Sequence, residues 1–166
     1  LAAGVSLDCV SAGLSKLPPV AGRGNSVSGI AGAQIIDDSY NANPASVKAA
    51  IDLLASLQGT RILVLGDMGE LGEWAESSHQ AVGEHAAQQG LDALYAVGPL
   101  SALAVQAFGE RGQLFASKQD LVEALKGRLD ISTQVLVKGS RSAGMDEVVA
   151  GLAAAVDTQN NEDRVN

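Results

Sequence analysis

Three short runs hold most of the side chains able to do chemistry. Asp37-Asp38-Ser39-Tyr40-Asn41-Ala42-Asn43-Pro44-Ala45-Ser46 follows the aliphatic pair Ile35-Ile36. Gly66-Asp67-Met68-Gly69-Glu70-Leu71-Gly72 follows Ile62-Leu63-Val64-Leu65, and Lys138-Gly139-Ser140-Arg141-Ser142 follows Val135-Leu136-Val137. Each run leaves an aliphatic strand and leads into a helix. Ligands of open α/β sheets bind at such strand ends. Three polar strand ends in a chain of 166 residues point to one shared crevice.

A carboxylate such as Asp38 at a strand's carboxyl end can accept hydrogen bonds from ribose hydroxyls, or it can cap the following turn. Asn41 and Asn43 carry amides able to read a base edge; the alternative is a pair of Asx turns. Ser46 reads as a local cap. The glycines at 66, 69 and 72 are spaced G-x-x-G-x-x-G, which is not the dinucleotide fingerprint. Two acids in that loop would repel a pyrophosphate, so it reads as a pocket wall. Asp67 there either holds a cationic group or a metal-bound water, or caps the loop. Lys138, Ser140, Arg141 and Ser142 pair two cations with two hydroxyls before a helix, which favours a carboxylate or phosphate. Alternatively, Lys138 is a solvated strand-end lysine. No G-x-x-x-x-G-K-[ST] phosphate loop occurs. His79 and His85, six apart on one expected helix, do not share a face, and no metal site is expected from them. Trp74 reads as cover for a pocket edge or the core.

Aliphatic strands alternating with helices must position these runs. Strands are expected near 27–30 and over 33–37, 61–65, 93–97, 113–115 and 134–137. Helices are expected over 44–58, 73–89, 100–108, 118–129 and 143–156. Pro44 and Gly59 mark the start and stop of the first of these. This alternation implies an α/β, Rossmann-like fold: a mostly parallel sheet with helices on both faces and right-handed crossovers. Residues 1–17 read as a further helix ended by Pro18-Pro19. Residues 20–32, rich in Gly and Ser, read as a linker or hinge. The polar tail 158–166 is expected to be disordered.

Composition narrows the function. The chain is 46% hydrophobic but 3% aromatic, with 19 glycines, which suits helices packed closely on a parallel sheet. A net charge of -8 without a basic stripe argues against nucleic acid as a partner. The single Cys9 allows no internal disulfide and fits a reducing, cytoplasmic setting. No apolar run is long enough to span a bilayer. The first residue is Leu1, which reads as a cut through a longer protein.

The three runs, with Ala143-Gly144-Met145-Asp146-Glu147-Val148-Val149 after the last, resemble in order and spacing the C-terminal part of the Mur ligase family. Within it, Tyr40-Asn41-Ala42-Asn43-Pro44 is most similar to the branch that adds D-Ala-D-Ala. The resemblance covers residue 19 to about residue 156. It implies that residues 1–19 are the tail of a central ATP-binding domain and 20–157 the C-terminal ligase domain, with the hinge at Val20-Ala21-Gly22-Arg23. It further implies an ATP-dependent peptide ligase of peptidoglycan precursor synthesis. D-Ala-D-Ala would be joined to a UDP-N-acetylmuramoyl-tripeptide through an acyl phosphate, with the phosphate loop and Mg2+ ligands in the other domains and no activity in this fragment alone. Arg23, Asp38, Asn41 and Asn43 are then the expected ATP-binding residues. Asp67, Lys138, Ser140 and Arg141 are the expected dipeptide-binding residues. Other readings are a sister ligase adding another amino acid, a receiver-like signalling domain and a nicotinamide-binding domain. Gly139 where receivers prefer Pro, and the glycine spacing above, weaken the last two.

Overall fold

The computed structural model describes residues 20–155, together with Ser6 and Cys9. The expected helix over 1–17 and the expected tail over 158–166 lie outside the described residues.

Six strands form one sheet in the order β1-β2-β6-β3-β4-β5. They are β1 (Asn25–Ser28), β2 (Gln34–Asp38), β3 (Thr60–Gly66), β4 (Ala93–Val97), β5 (Gly112–Phe115) and β6 (Thr133–Lys138). β1 pairs antiparallel with β2, and every other pairing is parallel. Four helices connect strands, α1 (Pro44–Ala55), α2 (Ala75–Gln88), α3 (Ser101–Phe108) and α4 (Lys118–Lys126), and α5 (Asp146–Leu152) follows β6.

The pleat sends successive side chains to opposite faces. Ile62 and Val64 of β3 join Val135 and Val137 of β6 in a core covered by Leu121 and Leu125 of α4 and Val148 and Leu152 of α5. Leu63, Leu65 and Leu136 enter the other core with Val47, Ile51 and Leu54 of α1, Val82 of α2 and Phe108 of α3. Full burial of each such aliphatic side chain contributes about 1.5–3 kcal/mol, so a strand with an unbroken aliphatic centre belongs between two helical layers. β3, with Ile62–Leu65, and β6, with Val135–Val137, are those strands, and they sit in the middle of the sheet. The topology steps one way along the sheet from β2 to β3, β4 and β5 under α1–α3, then returns to β6 under α4. The return on the opposite face is what crossovers of constant hand require.

Several expected boundaries shift. The first strand forms at 25–28 because Ile30–Gly32 makes a 3-10 turn with Ala31 at φ 56°. α1 stops at Ala55, short of the expected 58. α4 ends at Lys126, where Gly127 follows, short of 129. A 3-10 turn, Gly72–Trp74, precedes α2. The expected helix over 143–156 is shorter: Arg141–Ala143 makes a separate 3-10 turn, left-handed Gly144 (φ 59°) breaks it, and α5 then runs seven residues from Asp146. Among the described residues no helix is long and apolar enough to cross a membrane.

Candidate functional site

The carboxyl ends of β2, β6 and β3 lie side by side, so the three polar runs do converge. Between them opens a cleft of about 670 Å³. It is walled by Tyr40 to Asn43 on one side, Gly69, Glu70 and Leu71 on another, and Ser140, Arg141 and Ser142 on a third. A smaller recess of about 240 Å³ adjoins it, lined by Arg23, Asp38, Tyr40, Asn41, Asn43, Ser46 and Lys138.

The parallel register sets Asp38 beside Lys138. The Lys138 ammonium donates to Asp38 Oδ2 at 2.6 Å and to the Asn41 carbonyl at 3.0 Å. Lys138 is only 2% exposed. Such a side chain is buried because it is paired. Lys138 therefore lies with Asp38 at the recess instead of in the cleft with Ser140 and Arg141. It ties the ends of β2 and β6 together and takes one oxygen of Asp38.

Asp37 points elsewhere, as alternation along the strand requires. It accepts from Gly22 N at 3.2 Å and from Ser39 N and Oγ at 3.2 and 2.6 Å. Tyr40 N donates to Gly22 O at 3.0 Å. Gly22 has φ +74°, and a Cβ there would lie 2.9 Å from Tyr40 N, so only glycine allows segment 20–24 to seat on this turn. Tyr40 carries two guanidiniums. Arg23 Cζ lies 4.4 Å and Arg141 Cζ 5.3 Å from its ring centroid, and Arg141 Nη1 donates to its hydroxyl at 3.2 Å. Sequence reasoning gave Tyr40 no role. The available signal was an aromatic residue amid amides at a strand end.

The asparagines take their local roles. Asn43 is the N-cap of α1: its Oδ1 accepts from Ser46 N at 2.9 Å, and Ser46 Oγ accepts from Asn43 N at 3.1 Å. Asn41 Oδ1 accepts from Ala42 N at 2.8 Å. Both residues still line the cleft and the recess.

Asp67 is committed to α3. Its Oδ1 accepts from Ser101 N and Oγ, both at 2.7 Å, at the helix N-terminus, and Asp67 does not line the main cleft. Its carbonyl accepts from Ser140 N at 2.9 Å, which ties the second polar run to the third. The buried His79 holds the second run from below. Nε2 accepts from Met68 N at 2.9 Å, and Nδ1 lies 2.7 Å from the Ala75 carbonyl, so the ring is a neutral Nδ1–H tautomer. His85 instead meets Asp52 at 2.7 Å. The expected helix start directly after Lys138, Ser140 and Arg141 is absent, because α5 begins at Asp146. Anion attraction at these residues rests on the exposed Arg141 guanidinium and on Ser140 Oγ, which lies 3.0 Å from Ser142 Oγ. Among the described residues no three His, Cys, Asp or Glu side chains converge as a metal site.

The chain has clear relatives. The family described as "Mur ligase, glutamate ligase domain" matches residues 22–141. The UDP-N-acetylmuramoyl-tripeptide–D-alanyl-D-alanine ligase of Escherichia coli K12 is 44% identical over 156 residues, covering 92% of this chain and 34% of that protein. MurF from Acinetobacter baumannii has a similar structure, with a TM-score of 0.79 at 33% identity over 90% of this chain and 33% of that one. MurF from Thermotoga maritima in complex with ADP gives 0.74 at 26% identity, over 86% and 35%. The chain spans about a third of the length of the curated relatives it matches.

Proposed function

The chain belongs to the Mur ligase family through this domain, and on that premise we propose that it is the C-terminal domain of an ATP-dependent peptide ligase. The enzyme joins D-Ala-D-Ala to a UDP-N-acetylmuramoyl-tripeptide in peptidoglycan precursor synthesis, in the cytoplasm. Residues 20–157 are the domain, and residues 1–19 lead in from a central domain. In the reaction, the tripeptide carboxylate attacks the γ-phosphorus of ATP, ADP leaves, and an acyl phosphate remains. The dipeptide amine, having lost a proton, attacks the acyl carbon. Phosphate departs and an amide bond forms.

One observation carries this reading. Arg23, Asp38, Asn41 and Asn43, drawn from the hinge segment, a strand end, a turn and a helix cap, all line one recess beside the larger cleft. Asp38 gives Oδ2 to Lys138 and keeps Oδ1 for a ribose hydroxyl. Asn41 and Asn43 border the adenine, and Arg23 leaves Tyr40 to meet the phosphates when the domains close. Ser140 and Arg141 receive the dipeptide carboxylate, while Lys138 and Asp67 act by holding the walls. Among the described residues no three His, Cys, Asp or Glu side chains converge; on this reading the magnesium ligands lie mainly in the central domain, and no step here runs through the ion.

ADP release by the full-length protein tests the proposal, with ATP, the UDP-linked tripeptide and D-Ala-D-Ala supplied. Turnover that requires all three is expected, and the 166-residue chain alone should give none. Turnover by the chain alone, or a preference for a single amino acid over the dipeptide, would overturn it.

A further inference from the structure

The main cleft has a polarity of its own. Among its described lining residues, Glu70 is the one carboxylate and Arg141 the one guanidinium, and they come from different walls. Asp38 gives one oxygen to Lys138 at the adjoining recess, and Asp67 is committed to the start of α3. Arg141 is steadied by the Tyr40 hydroxyl at 3.2 Å. The two walls are fixed to each other by Ser140 N donating to Asp67 O at 2.9 Å, and the Glu70 wall is fixed to α2 by Met68 N donating to His79 at 2.9 Å.

Glu70 also occupies a backbone position that disfavours it. Its φ is +61°, a left-handed conformation that a non-glycine residue with a long side chain seldom adopts. Gly69 and Gly72 flank it, so glycine is at hand in this loop. A glycine or asparagine at 70 would relax the turn. A carboxylate held in a strained conformation beside a cleft points to a use for that carboxylate.

We propose that Glu70 receives the ammonium group of the incoming zwitterion, opposite Arg141 and Ser140 at its carboxylate end. Glu70 thereby sets the specificity for a free amine. This rests on the ligase reading above and deepens it. A carboxylate carried by one anchored wall and a guanidinium held by Tyr40 on another orient a dipeptide in one sense only, amine toward the β3–α2 loop. An orientation of this kind presents a single nitrogen to the acyl carbon. Leu71 and Ala42 supply the apolar surface that two methyl side chains need.

The full-length enzyme carrying Glu70→Gln, and separately Glu70→Gly, tests this. Glu70→Gln removes the charge and keeps the shape. Glu70→Gly relaxes the backbone and removes the carboxylate. Both should raise the KM for D-Ala-D-Ala about 10–100-fold, the range of a lost charge-assisted hydrogen bond. The KM values for ATP and the UDP-tripeptide should stay within about twofold. The hydroxy analogue of the dipeptide, with OH in place of the ammonium, serves as a competitive inhibitor. It should bind wild-type enzyme far more weakly than the dipeptide does, and the two should converge in Glu70→Gln. A dipeptide KM within twofold of wild type in Glu70→Gln, or persistent discrimination against the hydroxy analogue, overturns the role of Glu70 and leaves the ligase reading standing. Absence of wild-type turnover with any dipeptide overturns both.

Discussion

The buried pair at the ends of β2 and β6 makes an asymmetric prediction. Lys138 is 2% exposed and Asp38 is 26% exposed, so removing either partner leaves the other in a different situation. In Lys138→Met the aliphatic length is kept and Asp38 is left unpaired. Its carboxylate is a quarter exposed and can recruit water, and the Asn41 carbonyl loses a donor. The expected destabilisation is about 1.5–3 kcal/mol. In Asp38→Asn the ammonium stays at the carboxyl end of β6, without its counter-charge and almost without water. The expected loss is about 3–5 kcal/mol, or roughly 10 °C in Tm for a domain of this size. The double variant should lose no more than Asp38→Asn alone, because no charge is then left unpaired. Urea unfolding of the four proteins, with m-values held equal, gives the cycle. Reversal of the order, or losses below about 1 kcal/mol in both single variants, would show that the ammonium is hydrated. The account of Lys138 as the clamp on Asp38 would then fail.

Other outcomes follow from the same geometry. His79→Leu leaves Met68 N without its acceptor in a buried site and should cost about 1–3 kcal/mol, while His79→Gln should recover part of this; equal losses in chemical denaturation would refute the hydrogen-bond role. A Cβ on Gly83 would collide with the Ala104 carbonyl where α2 meets α3, whereas one on Gly127 (φ -77°) would meet nothing within 4 Å. Gly83→Ala should therefore destabilise by more than about 2 kcal/mol, and Gly127→Ala should stabilise by about 0.4–1 kcal/mol, as read by thermal melts. Partial burial works to raise the Asp92 carboxyl, but the Arg61 backbone N–H and guanidinium, with Arg111, hold it below its ordinary 3.8. Hydrogen bonds from Ser132 and Thr133 likewise lower Asp130. Both are depressed in the fold, so the stability they contribute is full above pH 3.8 and is lost as pH falls through their folded values. Asp92→Asn should flatten the acid limb of a Tm–pH curve below pH 3.8, and an unchanged limb would refute it.

The layered architecture was legible because the strands are short, aliphatic and punctuated: Val64-Leu65-Gly66 and Val137-Lys138-Gly139 mark where strands stop. That polar ends meet at one crevice follows from parallel strands. Which ends touch does not follow, because β2 and β6 are a hundred residues apart and sequence carries no strand order. The destination of Lys138 was hidden for that reason, as was the commitment of Asp67 to Ser101, 34 positions on. Helix ends ran long on paper because Leu57 and Leu129 continue an apolar pattern after the helix has stopped, and a pattern records burial, not hydrogen bonding. The roles of Asn43 and Ser46 as a cap could be read from their spacing. Buried His79 could not, since its partner is a backbone amide.

The place of β6 in the sheet shapes how the chain reaches this structure. β6 is the last of the six strands to be synthesised, yet it sits between β2 and β3. Before residue 133 emerges, β2 and β3 have no partner on their inner edges, whose backbone N–H and C=O groups are open to other chains. The central pairings join residues a hundred positions apart in β2–β6 and about seventy apart in β3–β6. Such distant closures make for slow folding and a long interval of exposure. A chain cut before β6 would lose more than one strand: it would be left as two half-sheets with sticky edges, a substrate for chaperones and a seed for aggregation.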